Sequence, residues 1–312
     1  MADIVTLTIN PSIDTSTSVN RVAPVHKLRC APPHRDPGGG GVNVARVAVR
    51  FGSDVKALCA AGGVMGELLR RLIDREGIPS LIIEVSEETR ESLTVFEEAT
   101  GQEYRFVLPG LELREEEWRQ CLSALADLED DPRFVVASGS LSPGTPSGFY
   151  GHVARIAKQR GAKVVLDTSG PPLAAALEEG VYLIKPNLRE LSELMDVSLE
   201  GEDAWVDACR QLTTTGRAEF VALALGDRGA LLVARDHAWR APALPIKPVS
   251  TVGAGDSFLG AMVWNLGKGS AVEDAFRYGV AAGSAAVLSP GTGLRHRKEV
   301  ERLFPDVVLR RL

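Results

Sequence analysis

The sequence predicts an α/β fold: a mostly parallel central sheet flanked by helices, with a small β-sheet lid. Three observations predict it. Short apolar runs recur without polar interruption, helix-period segments separate most of them, and two stretches rich in β-formers have no helix after them. Strands that read as continuous apolar runs are buried on both faces, and strand–helix alternation builds right-handed parallel crossovers.

In chain order, IVTLTI at 4 to 9 is the first strand. Residues 15 to 36 (TSTSVNRVAPVHKLRCAPPHRD) then break the rhythm, as do residues 88 to 108 (ETRESLTVFEEATGQEYRFVL), where ATGQE has the residues of a hairpin turn. These two segments are the expected lid. Between them, DPGGGGVNVARVAVRFG opens a helix with Val44, Val47, Ala48 and Phe51 on its apolar face and a stop at Gly52, followed by the strand VKALCA at 55 to 60 and the helix GELLRRLIDREG. FVVASG (134 to 139), KVVLD (163 to 167), VYLIK (181 to 185) and FVALAL (220 to 225) are further strands, and GFYGHVARIAKQRG is a helix among them. LALGDRGALLV is a strand, a Gly-bounded turn and a return strand. STVGAGDSFLGAM begins the last large helical pattern. No repeat, low-complexity tract or linker divides residues 1–312, so one α/β domain carrying a lid is expected.

Composition excludes several function classes. With 312 residues and 45% hydrophobic content the chain can fill a sizeable core. A net charge of -6 and a pI near 5.5, with Lys and Arg scattered, leave no basic stripe for nucleic acid. The four cysteines form no CxxC and the five histidines no HExxH, which points to neither a zinc site nor a disulfide framework. No apolar run approaches the ~18 residues of a membrane helix, and MADIVTLTI lacks a basic leader, so a cytoplasmic protein without a membrane partner is expected. There is no GxxxxGK[ST], and neither glycine cluster completes GxGxxG: the sixth residue from Gly253 is Phe258 and from Gly39 is Val44. His34-Arg35-Asp36 mimics a protein-kinase catalytic loop, but Gly41 stands where Asn is needed and no DFG follows.

The motifs that remain carry chemistry. Gly253, Ala254 and Gly255 let backbone N–H groups converge at a helix start, where the macrodipole favours negative charge, and Asp256 stands directly behind them. A tight turn with a helix-stabilising acid is one reading. An anion cradle that already holds a carboxylate suits chemistry in which charge moves: the acid accepts a hydroxyl proton while the amides stabilise the transferred group. Four consecutive glycines are costly to order, so the quartet marks either a hinge or a close approach of backbone to a polar ligand, with Asn43 free to donate and accept. In LIKPNLREL, Asn187 and Glu190 have capping-box spacing, and the same carboxylate could hold a water of Mg²⁺; Lys185 has no such structural excuse. The Gly226 to Gly229 turn is a hairpin or a nucleotide-contacting loop. Asp14 lies beyond the first strand, where ligands of such folds gather, although an Asx turn explains it equally. Arg90 and Arg105 flank the hairpin as solvated surface residues unless a ligand recruits them.

GGGGVNVARV, IKPNLREL and STVGAGDSFLGAM, in that order and spacing, resemble the PfkB (ribokinase-like) family of carbohydrate kinases across essentially the whole chain. TLTINPSID, HKLRC, GQEYRFVLPG, SGSLSPG and AAGSAAVLSPGTG further resemble its 6-phosphofructokinase branch; in related kinases for fructose 1-phosphate and tagatose 6-phosphate, Lys is common where Gly40 stands here. The resemblance implies a catalytic base at Asp256 and an anion hole from Gly253, Ala254 and Gly255. It implies that Asp14, Gly39, Asn43 and Ser138 meet a phosphorylated ketohexose, fructose 6-phosphate by this resemblance, with Lys27, Arg90 and Arg105 on its phosphate. Lys185, Asn187, Glu190, Gly226 and Gly229 would face Mg-ATP, with Ser284 near the adenosine. A monovalent cation, K⁺ by expectation, would sit on carbonyls of Ser250, Val252, Ala286, Ser289, Gly291 and Gly293. A homodimer through the lid is implied as well. Two residues depart from the family pattern: Ala224, where Ser or Thr is common near the nucleotide phosphates, and Ser250, where Asp is common before the glycine turn. A catalytically silent sugar-phosphate sensor is the rival from another class, and the intact GAGD speaks against it.

Overall fold

The computed structural model describes residues 2–288 and 297–312. Its strands are β1 (Ile4–Thr8), β2 (Ser12–Val19), β3 (His34–Gly38), β4 (Val55–Ala61), β5 (Ser80–Glu84), β6 (Arg90–Glu97), β7 (Gln102–Val107), β8 (Phe134–Ser138), β9 (Lys163–Asp167), β10 (Val181–Ile184), β11 (Ala218–Ala224), β12 (Ala230–Val233), β13 (Ala238–Ala241) and β14 (Arg310–Arg311). Among the described residues, ten of these form one sheet in the order β14-β13-β12-β11-β10-β9-β8-β1-β4-β5. The run from β5 to β11 is parallel, and β12 to β14 add an antiparallel flank.

The helices divide by face. On one side lie α1 (Gly40–Arg50), α2 (Gly63–Arg75), α8 (Ala254–Gly267), α9 (Val272–Ala286) and α10 (Arg297–Leu303). On the other lie α3 (Glu115–Ala126), α4 (Phe149–Gln159), α5 (Gly170–Glu178), α6 (Leu188–Met195) and α7 (Gly201–Thr214). Strand β1 shows why its sequence is unbroken: Ile4 packs into the first layer and Val5 and Leu7 into the second, all fully buried.

The lid is a separate four-stranded sheet in the order β3-β2-β6-β7. The expected hairpin is the antiparallel pair β6–β7, turning at Gly101 with φ 70°. Two boundaries differ from expectation. The first lid strand starts at Ser12 rather than 15, because β2 pairs in parallel with β6 from Ser12↔Arg90 onward; Asp14 therefore sits on a lid strand instead of a loop. Residues 20 to 33 carry no strand, so the first segment is β-structured only at its two ends.

The approach of α1 to α8 sets up the site. A Cβ on Gly260 would meet Val47 Cβ at 2.7 Å and the Val44 carbonyl oxygen at 3.1 Å, so the two helices touch here with no room for a side chain. One turn nearer their N-termini, the same helices carry Asn43 and Asp256. Gly260→Ala is expected to force the pair apart and cost about 1–3 kcal/mol of stability, read as a lower denaturation midpoint. An unchanged midpoint would show that the contact has slack.

Candidate active site

Three strand ends, those of β8, β9 and β10, form one row across the sheet. Ser138 pairs in register with Asp167, and Ile184 pairs with Leu166, so Lys185 emerges beside Asp167. Lys185 Nζ lies 3.1 Å from Asp167 Oδ2, and both groups are largely buried. Gly255 permits this: a Cβ there would come within 3.2 Å of the Lys185 Nζ.

Above this row begins α8. Gly253 is its N-cap in the left-handed region (φ 73°), a backbone state that glycine takes without strain. The N–H groups of Gly255 and Asp256 have no backbone acceptor among the described residues, as befits a first turn that can receive an anion. Asp256 Oδ2 accepts a hydrogen bond from Asn43 Nδ2 at 2.9 Å. Burial and the neighbouring Asp167 carboxylate push the Asp256 carboxyl up, Asn43 and Lys185 pull it back, and it rests at about 6. Lys185 responds in the opposite sense. Burial would lower it, but Asp167 above all, with Asp256 and Glu190, holds the ammonium above its ordinary value.

The glycine quartet is packed against candidate site residues. A Cβ on Gly38 would fall 2.4 Å from the Asp14 carboxyl, and one on Gly40 would fall 2.2 Å from Ser138 Oγ. Close approach, not hinge freedom, is what these positions require. Gly39 caps α1 with φ 108°. Asp14 Oδ1 accepts from Ser12 Oγ at 2.7 Å, and burial raises the Asp14 carboxyl despite the opposing charges of Arg90, Arg105 and Arg46.

Gly40, Ser138, Asp167, Glu190 and Asp256 line one cavity of about 380 Å³ with Thr168 and Ser169. A wider hollow of about 460 Å³ opens at the opposite ends of β9, β10 and β11 and gathers no comparable set of acids. Asn187 and Glu190 do form the capping box of α6, with reciprocal bonds of 2.9 Å to each other's backbone N–H, while Glu190 still reaches the cavity. Gly226 and Gly229 bound a short 3₁₀ turn, and Ser284 is half-buried on α9. Arg90 is held by the carbonyls of Leu108 (3.3 Å) and Asn10 (3.4 Å), leaving its Nε buried without a partner. Lys27 is exposed on the loop between β2 and β3, with no hydrogen bond or ion pair to the cluster among the described residues.

Ser250 and Val252 precede α8, and the N–H groups of Val249 and Ser250 reach the Val287 carbonyl (2.7 and 3.3 Å), next to Ala286. Ser289, Gly291 and Gly293 lie outside the described residues. Three participants escaped the sequence reading. Asp167 had a usable signal, an acid at the carboxyl end of KVVLD; Arg46 and the lid residue Glu103, which accepts from Ser250 Oγ at 2.9 Å, had none.

The chain path superimposes on ribokinase from Arabidopsis thaliana with a TM-score of 0.76 at 20% identity over 97% of this chain and 99% of that one, which defines the fold as ribokinase-like. The chain belongs to the pfkB family of carbohydrate kinases, whose family model matches residues 4–298. It is 44% identical over 301 residues to ATP-dependent 6-phosphofructokinase isozyme 2 of Mycobacterium tuberculosis, covering 96% of this chain and 88% of that protein. The protein of the same name from Escherichia coli is 39% identical over 97% of this chain and 98% of its own length. Crystal structures of that E. coli phosphofructokinase-2 include a complex with potassium (TM-score 0.93, 39% identity, 98% and 99% coverage), a complex with fructose-6-phosphate (TM-score 0.92, 38% identity) and a tetrameric inhibited form.

Asp256 carries a cost that its removal should relieve. A carboxyl raised from 3.8 to about 6 binds its proton more tightly in the folded chain, so its contribution to stability is full below pH 3.8 and is lost as pH rises through about 6. Asp256→Asn is therefore expected to stabilise the protein at about pH 8, by on the order of 2 kcal/mol, with the gain fading as pH falls through about 6. Thermal melts across that range check it, and a variant destabilised at high pH would contradict it.

Proposed function

We propose that the protein transfers the γ-phosphoryl group of ATP to the 1-hydroxyl of fructose 6-phosphate, giving fructose 1,6-bisphosphate and ADP, a step of glycolysis in the cytoplasm. The observation that carries this reading is the Asp256 carboxylate at the start of α8, held by Asn43 and lining a cavity with Asp167, which pairs with Lys185. The identity to two 6-phosphofructokinases over nearly the whole chain supports the choice of sugar.

Asp256 takes the proton of the 1-hydroxyl as the oxygen attacks phosphorus in line. A base held near 6 is ionised at neutral pH yet more basic than an ordinary carboxylate, the compromise that general-base catalysis favours. The N–H groups of Gly255 and Asp256, with the positive end of the α8 dipole, stabilise charge on the moving phosphoryl group. Lys185 supplies a fixed cation beside them, balanced by Asp167 in the resting protein. Asp14, Gly39, Asn43 and Ser138 orient the sugar; Arg90 and Arg105 receive its 6-phosphate, and Arg90 has an unpartnered Nε to offer. Lys27 would join them by movement of its loop. Asn187, Gly226, Gly229 and Ser284 border the nucleotide.

Among the described residues no three acids or histidines converge to cage a metal. Glu190, which lines the cavity, would hold one water of a Mg²⁺ ion carried by the ATP phosphates; when bound, the ion neutralises phosphate charge. A K⁺ ion would sit on the carbonyls of Ser250, Val252 and Ala286, whose segments are joined by the bonds of Val249 and Ser250 to Val287. The lid exposes Leu93 and Phe106 as a cross-strand pair (37% and 52% exposed), an apolar face suited to a homodimer.

Charge-assisted contacts from Arg90 and Arg105 favour a phosphorylated sugar by roughly 1.5 to 3 kcal/mol each. A coupled ADP-release assay should therefore show turnover with fructose 6-phosphate and little with fructose or ribose; the identity to 6-phosphofructokinases supports a further preference for fructose 6-phosphate over fructose 1-phosphate and tagatose 6-phosphate. Asp256→Asn should lower kcat by about 10² to 10⁴ with sugar KM nearly unchanged. Sugar-phosphate binding with no ADP released by the wild type would replace this reading with that of a sensor.

A further inference from the structure

Arg46, on α1 three residues after Asn43, is 1% exposed and is the largest fully buried side chain among the described residues. Its guanidinium is fully engaged. Nε and Nη2 donate to Glu76 Oε1 at 3.0 and 2.8 Å, Nη2 donates to Asp36 Oδ1 at 2.7 Å, and Nη1 donates to the Pro37 carbonyl at 3.4 Å and to Asn43 Oδ1 at 3.2 Å. Glu76, at the C-cap of α2, is clamped again by Arg50 at 2.9 Å to each oxygen. Asp36 comes from lid strand β3.

The chemistry of these groups fixes one orientation. A guanidinium has donors only, so the atom of Asn43 that meets it must be the carbonyl oxygen. The amide NH₂ is then left facing Asp256, whose ionised carboxylate only accepts, at 2.9 Å. Turning the amide over would set NH₂ against guanidinium and oxygen against carboxylate, a loss at both ends. A neutral or shorter side chain at position 46 removes one of the two restraints.

We propose that Arg46, locked by Glu76 and Asp36, is a positioning residue for the reaction: it holds the Asn43 amide in the orientation that donates to Asp256, and so aims the base. This rests on the kinase reading for its role in turnover, but its test does not. The other charged groups facing Asp256 are Asp167 and Lys185 from the strand ends and Asp14 from the lid, and none of them is altered in the variants below.

The experiment follows the Asp256 carboxyl by carbon NMR on ligand-free protein with labelled aspartate, the signal being assigned by its loss in Asp256→Asn. Arg46→Lys keeps the charge but cannot make the fork. Glu76→Gln keeps the shape but loosens the lock; its lost negative charge would by itself move the midpoint down. If Arg46 acts through Asn43, both variants move the midpoint upward by about half a pH unit or more, a threefold change in proton affinity. A midpoint at or below the wild-type value in either folded variant overturns the proposal. Should Arg46→Lys fail to fold, the half-buried Glu76→Gln decides alone. Failure of the kinase reading would show elsewhere, as absent ADP release by the wild type.

Discussion

Helices α1 and α8 meet where Gly260 admits Val47, and the site descends from that contact. Both helices point their N-termini at the carboxyl ends of the parallel strands. Four residues back along each, close to one helical turn of about 5.4 Å, Asn43 and Asp256 arrive within hydrogen-bond distance of each other. A side chain at 260 would open this angle, and a side chain at 255 would crowd Lys185. The glycines thus act as distances: each sets how near two charged or polar groups can come.

The electrostatics then follow from crowding. Asp14, Asp167 and Asp256 share a small region, and two of them are raised above the ordinary carboxylate range, burial being the first cause in each. Asn43 and Lys185 pull Asp256 back down, and it rests at about 6. The Lys185 ammonium is paired with Asp167, 3.1 Å away. Two further cations, Arg90 and Arg105, stand on the lid strands β6 and β7. Glu103, two residues before Arg105 on the same strand face, accepts from Ser250 just ahead of the glycine turn, so the lid is tied to the segment that leads into α8.

The sequence made the glycine turn, the quartet and the alternating sheet legible, because each is a local statement about backbone: a left-handed residue, a missing Cβ, an apolar run buried on two faces. Asn187 and Glu190 were legible in the same way, as a spacing of three. The start of the lid at Ser12 was not, since parallel pairing with Arg90 is decided by a strand nearly eighty residues away. Arg46 looked like one more polar residue in a helix; only the arrival of Glu76 and Asp36 from other elements makes it a buried lock. Lys27 is the reverse case, a residue implied by resemblance whose loop has no strand partner to carry it to the site.

A half-buried carboxylate, kept ionised at neutral pH by Asn43 and Lys185, is the proposed base. The pH dependence of kcat/KM for fructose 6-phosphate tests it most directly. An acid limb at about 6 is expected, moving to higher pH in Lys185→Met because a supporting charge is gone. The sugar phosphate also titrates at about 6, but its limb cannot shift with a change in the protein. An acid limb that stays in place in Lys185→Met, or one at the ordinary carboxylate value of about 4, would contradict the account.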